Sequence, residues 1–362
     1  MKQAKSSSER LAFIDWTRGF AALVMLQGHT FDSFTRTDLR DKGTFVLSQF
    51  FGGLPPAVFL FLTGITFAFL MDSQDRKQPS AWRRVVAALK RSRYLFLIAF
   101  LFRLQLYVFG YPTSPASELL RVDILNCMGM AMLILAPMAV FTTFERVRLC
   151  TILGLTIALL SPVVSLIDGD GVPALIRAYF FPSLRYFGFF PWAAFLAFGM
   201  AAGSVIRFLK KEDLGKAMPW ALALGLALIV LADQLYAMPY SIYAKSDFWL
   251  NSPALTMIKT GVVLGVLAFS YIWVQLGAGV RWSVFRQLGT TSLLVYWVHI
   301  ELVYGRWFGI WKEKLSVAEV VAYTVVLIGL MIILSVARTR WKTRANVAWS
   351  SLLAQPERVS GD

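Results

Sequence analysis

An all-α, polytopic transmembrane helical bundle of about ten spans, with both termini cytoplasmic, is the fold class that this sequence predicts, on three observations. Hydrophobic residues make up 57% of the 362 and charged residues only 16%, with a mean hydropathy of +0.60; a soluble domain is neither so apolar nor so poor in charge. Apolar stretches of about 20 residues, the length that crosses a bilayer, recur along the whole chain. Basic residues gather in alternate loops between them.

The stretches lie near residues 11–31, 46–71, 93–110, 121–142, 148–167, 188–207, 218–237, 254–276, 289–310 and 317–337. The first is followed at once by others and by no small-residue cleavage site, so it reads as a retained helix and not a signal peptide. With the N-terminus inside, the cytoplasmic segments are Lys2, Lys5 and Arg10, the loop DSQDRKQPSAWRRVVAALKRSR, Arg146 and Arg148, RFLKKEDLGK, Arg281 and Arg286, and the tail from ARTRWKTR onward. These hold 23 of the 36 Lys and Arg, against nine in the outer loops, the bias that sets orientation. The net charge of +15 is therefore a topology signal, and nucleic acid is not expected as a partner. The outer loops FGGLPP, GYPTSP, DGDGVP and SDFWLNSP are rich in Gly, Pro and aromatics, suited to ending helices and to capping a pocket.

No linker, repeat or low-complexity run divides the chain, so residues 1–362 read as one domain with short cytoplasmic tails at 1–10 and 338–362. Cys127 and Cys150 fall inside apolar segments, where neither a disulfide nor a thiolate metal site is expected, and two histidines are too few for a histidine-rich metal site. The pairs Gly199 with Gly203 and Gly261 with Gly265 match the close-packing spacing of membrane helices, suited to packing inside the bundle more than to a homodimer.

The first span departs from a plain anchor because it carries Asp15, Arg18 and His29. Asp15 and Arg18 are three apart and close enough to pair. On a helix the 11 residues from Arg18 to His29 return to within about 20° of one face, roughly 16 Å higher. Ionisable groups at membrane depth are costly and usually face a bundle interior or a wet cavity, although structural roles meet the same condition. By topology Asp15 and Arg18 lie toward the inner side. Toward the outer side lie His29, Asp32, the Arg121, Asp123 and Asn126 of the fourth span, and the Tyr296, His299, Glu301, Tyr304 and Arg306 of the ninth. His299 and Glu301 diverge by about 200° and cannot both face one point, whereas Glu301 with Tyr304, and Asp123 with Asn126, can share a face.

A histidine in such a pocket can take a proton from an attacking hydroxyl or amine, or accept an acyl group itself. A permanently charged arginine can hold a phosphate or stabilise an oxyanion. With no phosphate-binding loop, zinc-protease spacing or serine elbow in the chain, His29 with Arg18 is the reactive pair to consider first.

The segment IDWTRGFAALVMLQGH resembles the first helix of the polytopic membrane acyltransferases, where an arginine is followed by ten residues and then a histidine. GGLPPAVFLFLTG, RVDILNCMG, FFPWAAFLAFGMAAG and LGTTSLLVYWVHIELVYG resemble, in order, the bacterial relatives of heparan-alpha-glucosaminide N-acetyltransferase over residues 10 to 310. The resemblance implies acetyl transfer from cytoplasmic acetyl-CoA to a sugar or glycan acceptor across the membrane, in a bacterial inner membrane, with His29 as the essential histidine. The lysosomal enzyme has an Asn where this chain has Arg18, a feature of the wider O-acyltransferase pattern, so N- and O-acylation both stay open. So does acylation of His29 against base catalysis. The expected site is then His29 and Arg18 as catalytic residues and Asp15, Asp123, Asn126, His299 and Glu301 as substrate-binding ones. The expected partners are acyl-CoA, a saccharide and membrane lipid, with a homodimer open and no metal. A secondary transporter and a non-catalytic partner in glycan or lipid export are the alternatives, since intramembrane charges also mark solute paths. The paired repeats and interrupted helices of a transporter are not seen in the sequence.

Overall fold

The computed structural model describes residues 11–77, 80–167, 169, 171–278 and 282–353; Lys2, Lys5, Arg10, Arg281 and Arg358 of the topology argument lie outside them. All the regular structure among the described residues is helical. Helix α1, Ala12–Phe34, is 23 residues long, about 35 Å at 1.5 Å per residue. The 46–71 stretch is two helices, α2 (Gly43–Gly52) and α3 (Pro55–Lys77). Pro55 and Pro56 have no N–H to continue a ladder, so they start α3 instead of extending α2. Helix α4, Ala81–Gly110, is capped by Ser80 and starts twelve residues before the expected span. WRRVVAALKRSR, read as a loop, is helical because its Ala, Leu, Lys and Arg are good helix formers wherever the bilayer ends.

Helices α5 (Ile124–Leu135), α6 (Thr143–Val164, opened by a Thr142 and Glu145 capping box), α7 (Ala174–Phe180) and α8 (Phe189–Phe208) follow. They lead to α9 (Leu214–Tyr236) and α10 (Pro253–Trp273). The ninth stretch is again broken, into α11 (Val284–Thr290) and α12 (Ser292–Tyr304). Thr290 and Thr291 each send a hydroxyl hydrogen bond to the Gln287 carbonyl, at 2.9 and 3.1 Å. Such bonds compete with regular helix geometry and favour an end there. Helix α13, Val317–Leu353, runs well past residue 337, so the start of the expected tail is helix.

Among the described residues, seven helical stretches are long and apolar enough to cross a membrane: Gly43–Gln74, Ala116–Val140, Thr143–Val164, Phe189–Phe208, Leu214–Tyr236, Pro253–Gly277 and Val317–Ala345. The other three expected spans are helical but differ in kind. Helices α1 and α4 carry several charges, and α12 has only 13 residues. Leu222, Leu224, Leu226 and Val230 on α9, and Val321, Val325, Val326 and Ile333 on α13, are exposed apolar rows, as a lipid-facing surface requires.

The bundle closes where glycines let backbones touch. A Cβ on Gly199 of α8 would lie 2.0 Å from the Phe61 carbonyl oxygen of α3, and one on Gly203 2.7 Å from Ile65 Cα. Gly261 meets Gly225 of α9, its Cβ position 2.4 Å from that carbonyl oxygen, whereas a Cβ on Gly265 would make only an ordinary contact, 3.8 Å from Leu222 Cδ1; of the spaced pair on α10, only Gly261 is a close backbone approach. Two apolar clusters result. The larger joins α3, α5, α8 and α10, and the smaller joins Leu26, Phe31 and Phe34 of α1 to α12 and α13. Helix α1 contributes to both, so its polar residues lie along the seam. Its end is stitched down by Leu315 N–H to Phe34 O at 2.9 Å, Arg36 N–H to Leu315 O at 3.0 Å and Glu313 N–H to Ser33 O at 3.1 Å.

At the far end of α3, Asp72 accepts hydrogen bonds from Arg146 of α6 and from the Thr143 hydroxyl, and lies 3.5 Å from Arg207 Nε of α8. Arg146 is only 2% exposed. Removing one partner of a buried pair strands the other charge, so Asp72→Ala should cost about 3 kcal/mol. A thermal unfolding midpoint in detergent equal to wild type would refute this.

Candidate functional site: two cavities back to back along α1

Two cavities lie along α1. The first, of about 870 Å³, is lined by Arg18, by Arg91 and Tyr94 of α4, by Thr290 to Leu294 at the start of α12, and by Arg338, Thr339 and Lys342 of α13. The second, of about 660 Å³, is lined by His29 and Asp32, by Arg103 of α4, by Asp123, and by Glu301, Tyr304, Arg306 and Lys312. Phe59, Ile124 and Tyr296 line both cavities and form the wall between them. Arg18 and His29 thus stand on opposite sides of one wall, the two depths that their spacing implies.

In the Arg18 cavity, Arg18 Nη1 donates to Asp15 Oδ1 at 3.3 Å, and Asp15 is buried. Helix α12 begins here, which turns the positive end of its dipole toward the cavity beside four basic side chains. This constellation suits a polyanion.

In the His29 cavity, His29 Nδ1 is 2.9 Å from His299 Nε2, and His299 Nδ1 is 2.7 Å from the Val295 carbonyl oxygen. Tyr304 donates to Asp32 Oδ2 at 2.8 Å and sets its ring edge-on to His29 at 5.3 Å. Asp123 is the N-cap of α5, accepting from the Leu125 and Asn126 N–H groups at 3.0 Å each, and its other oxygen lies 3.2 Å from Arg103 Nε. Glu301 accepts from Trp307 Nε1 at 2.9 Å and from Gln105 Nε2 at 3.4 Å. Lys312, in the loop before α13, donates to the Tyr304 carbonyl at 2.6 Å, and its burial holds it below the usual lysine range.

Of the expected site residues, His29, Asp123 and Glu301 line the second cavity and Arg18 the first. Asp15 and Asn126 line neither: Asp15 holds Arg18, and Asn126 bonds Asp123 and accepts from the Tyr179 hydroxyl at 3.0 Å. His299 and Glu301 diverge as helical geometry requires, but His299 is fully buried against His29 and lines neither of these cavities. Tyr296, one of the polar residues that the sequence places on the ninth span, stands in the wall, whereas Arg91, Arg338 and Lys342 around Arg18 are not among the expected site residues. The three basic residues had been assigned to topology, since charge at a span end reads the same with or without a pocket behind it. Asp233 and Lys259 line neither cavity; Lys259 sits over the Trp192 ring at 4.8 Å. Cys127 and Cys150 are buried and free. Among the described residues no group of three or more His, Cys, Asp and Glu side chains is arranged to hold a metal.

No curated protein matches the chain. The family described as heparan-alpha-glucosaminide N-acetyltransferase, catalytic, matches residues 10–232, more than half of the sequence. The match runs from the start of α1 into α9, taking in Arg18, His29, Arg103 and Asp123 and leaving out the helices that carry His299, Arg338 and Lys342. An integral membrane protein, helical throughout its described regular structure and with two cavities along a charged first helix, the chain belongs to the heparan-alpha-glucosaminide N-acetyltransferase catalytic family and is a membrane acyltransferase.

Proposed function

We propose that this protein moves an acetyl group from cytoplasmic acetyl-CoA, held in the Arg18 cavity, to a sugar or glycan acceptor in the His29 cavity on the outer side of the membrane. The observation that carries the reading is the shared wall of Phe59, Ile124 and Tyr296, which brings a basic cavity and a histidine-bearing one within reach of each other. Arg91, Arg338 and Lys342 suit the phosphates of the donor nucleotide, with Arg18 deeper, toward the carbonyl. His29 removes the proton of the acceptor hydroxyl or amine as the thioester carbonyl is attacked, and the apolar wall keeps bulk water from the thioester. Asp15 holds Arg18 in place, Asn126 supports Asp123, and Asp123 and Glu301 are the acidic contacts offered to the acceptor.

The proposed topology is ten spans with both termini in the cytoplasm, the three charged or short helices completing the seven apolar stretches, as one transmembrane unit in a bacterial inner membrane. The basic loops support that orientation. A homodimer is compatible with it. Arg338→Ala with Lys342→Ala should raise KM for acetyl-CoA by about tenfold, roughly the loss of one charge-assisted hydrogen bond, and change kcat little. An unchanged KM would remove the donor from this cavity.

Cavities on both sides of a thin wall also suit a secondary transporter. Purified protein in detergent, given acetyl-CoA and a panel of amino sugars and glycans, separates the two. The acyltransferase releases CoA with one acceptor class, whereas a transporter moves solute and leaves the CoA pool untouched.

A further inference from the structure

The whole chain contains two histidines, and they meet although 270 positions apart. Their rings are near-parallel, 15° between planes and 5.2 Å between centroids. This contact determines where the protons lie. A backbone carbonyl only accepts, so the 2.7 Å contact of His299 Nδ1 with Val295 O places a hydrogen on that nitrogen. Neutral His299 then presents Nε2 as a lone pair, and the 2.9 Å contact requires His29 Nδ1 to be the donor. His29 is left with Nε2 as its lone-pair nitrogen. His29 also lines the second cavity, whereas His299 is fully buried.

The alternative, a charged His299 donating from both nitrogens, would bury an imidazolium. Among its described hydrogen bonds and ring contacts are only His29, the Val295 carbonyl and the Tyr296 ring, none of them a carboxylate. Asp32, the acid on α1 nearest in sequence to His29, is bonded by Tyr304. An uncompensated buried charge is costly, so the neutral relay is the arrangement that fits.

We propose that His299 is a positioning residue that holds His29 in its Nδ1–H tautomer, and so makes Nε2 the base that faces the acceptor; the inference rests on the acyltransferase reading above. In the forward step the acceptor oxygen or nitrogen bonds to the thioester carbonyl carbon and its proton passes to His29 Nε2. His29 is then an imidazolium that still donates from Nδ1 to His299. As the carbon–sulfur bond breaks, the sulfur takes up that proton, and His29 returns to the Nδ1–H form. Acyl ester or amide and free thiol are the products, with no net proton change.

The chain's composition makes the test direct, because labelling the full-length protein with ¹⁵N-histidine yields signals from two rings alone. At mildly alkaline pH, where both rings are neutral, the nitrogen shifts should report a protonated Nδ1 and a lone-pair Nε2 on each, with assignments taken from His29→Gln and His299→Gln. His299→Leu should let His29 relax toward the Nε2–H form and lower kcat about 10²-fold, within the usual contribution of a general base, with KM for acetyl-CoA within about twofold of wild type. His299→Gln, whose side-chain oxygen can accept from Nδ1, should restore the tautomer and most of the turnover. The wild-type spectrum decides the matter even if His299→Leu fails to fold. An active enzyme with His29 in the Nε2–H form, or His299→Leu at wild-type turnover, overturns the role of His299 and leaves the acyltransferase reading intact. The stated tautomers in a protein that consumes no acetyl-CoA with any acceptor overturn that reading instead.

Discussion

His29→Ala is expected to lower acyl transfer by about 10²- to 10⁴-fold, roughly 3 to 5 kcal/mol of transition-state stabilisation, while acetyl-CoA still binds. The physical reason is positional. Of the two histidines, His29 lines the second cavity and His299 is fully buried, and His29 stands on the far side of the wall from the basic cavity assigned to the donor. Alanine cannot take the acceptor's proton, but the change leaves Arg18 and the three basic groups around it untouched. The fold should survive with a modest loss: the buried His299 Nε2 loses its donor, a cost of about 1–3 kcal/mol. Packing on either side of position 29 remains, through Gly28 against Gly52 and the 2.6 Å contact of the Thr30 and Thr324 hydroxyls. Thiol release in the presence of acceptor, measured beside calorimetric titration with acetyl-CoA, checks both halves. Wild-type turnover in the variant would move the chemistry elsewhere, and loss of donor binding would mean that the two cavities are one site.

The second large effect is expected at Gly289→Ala, a substitution that adds one methyl group. Its Cβ would stand 1.8 Å from the Asp15 carbonyl oxygen and 3.0 Å from Gly19 N, and a Cβ on Gly19 would stand 1.7 Å from the Phe285 carbonyl oxygen. Helices α1 and α11 therefore cross backbone to backbone, and backbone cannot rotate aside as a side chain can. Overpacking of this kind costs about 3 kcal/mol, the upper part of its usual range, and the helices must part to relieve it. Because only Thr291 separates α11 from α12, parting α11 from α1 draws His299 away from His29. Gly289→Ala should thus lose thermal stability and turnover together. Gly329→Ala, where a Cβ meets nothing within 4 Å, should lose neither and gain helix propensity. Equal midpoints and rates for the two variants would show that the crossing has slack.

Much of this was legible in the residues, through properties that add up locally. Mean hydropathy and apolar run length place the chain in a membrane. The three-residue step from Asp15 to Arg18 and the 11-residue step to His29 give a pair and two depths on one face. Element ends were read less well, because hydropathy marks where apolar side chains stop and not where hydrogen bonding stops. Helix α4 therefore begins within a basic segment, and α13 continues through Arg338 and Lys342 to line a cavity. Side-chain partners were the least legible. Asp123 and Asn126 do share a turn, as their spacing requires, but a cap and an ion pair with Arg103 depend on α4 lying alongside.

The sequence by itself determined a helical membrane protein whose first helix holds an arginine and a histidine at different depths, since periodicity and charge are properties of one segment. Only the tertiary structure decided that Phe59, Ile124 and Tyr296 divide two cavities, and that His299 faces His29 and not the cavity. Both depend on how three or more helices cross. That is set by backbone contacts such as Gly19 with Phe285 and Gly289 with Asp15, between residues more than 250 positions apart that no local pattern links.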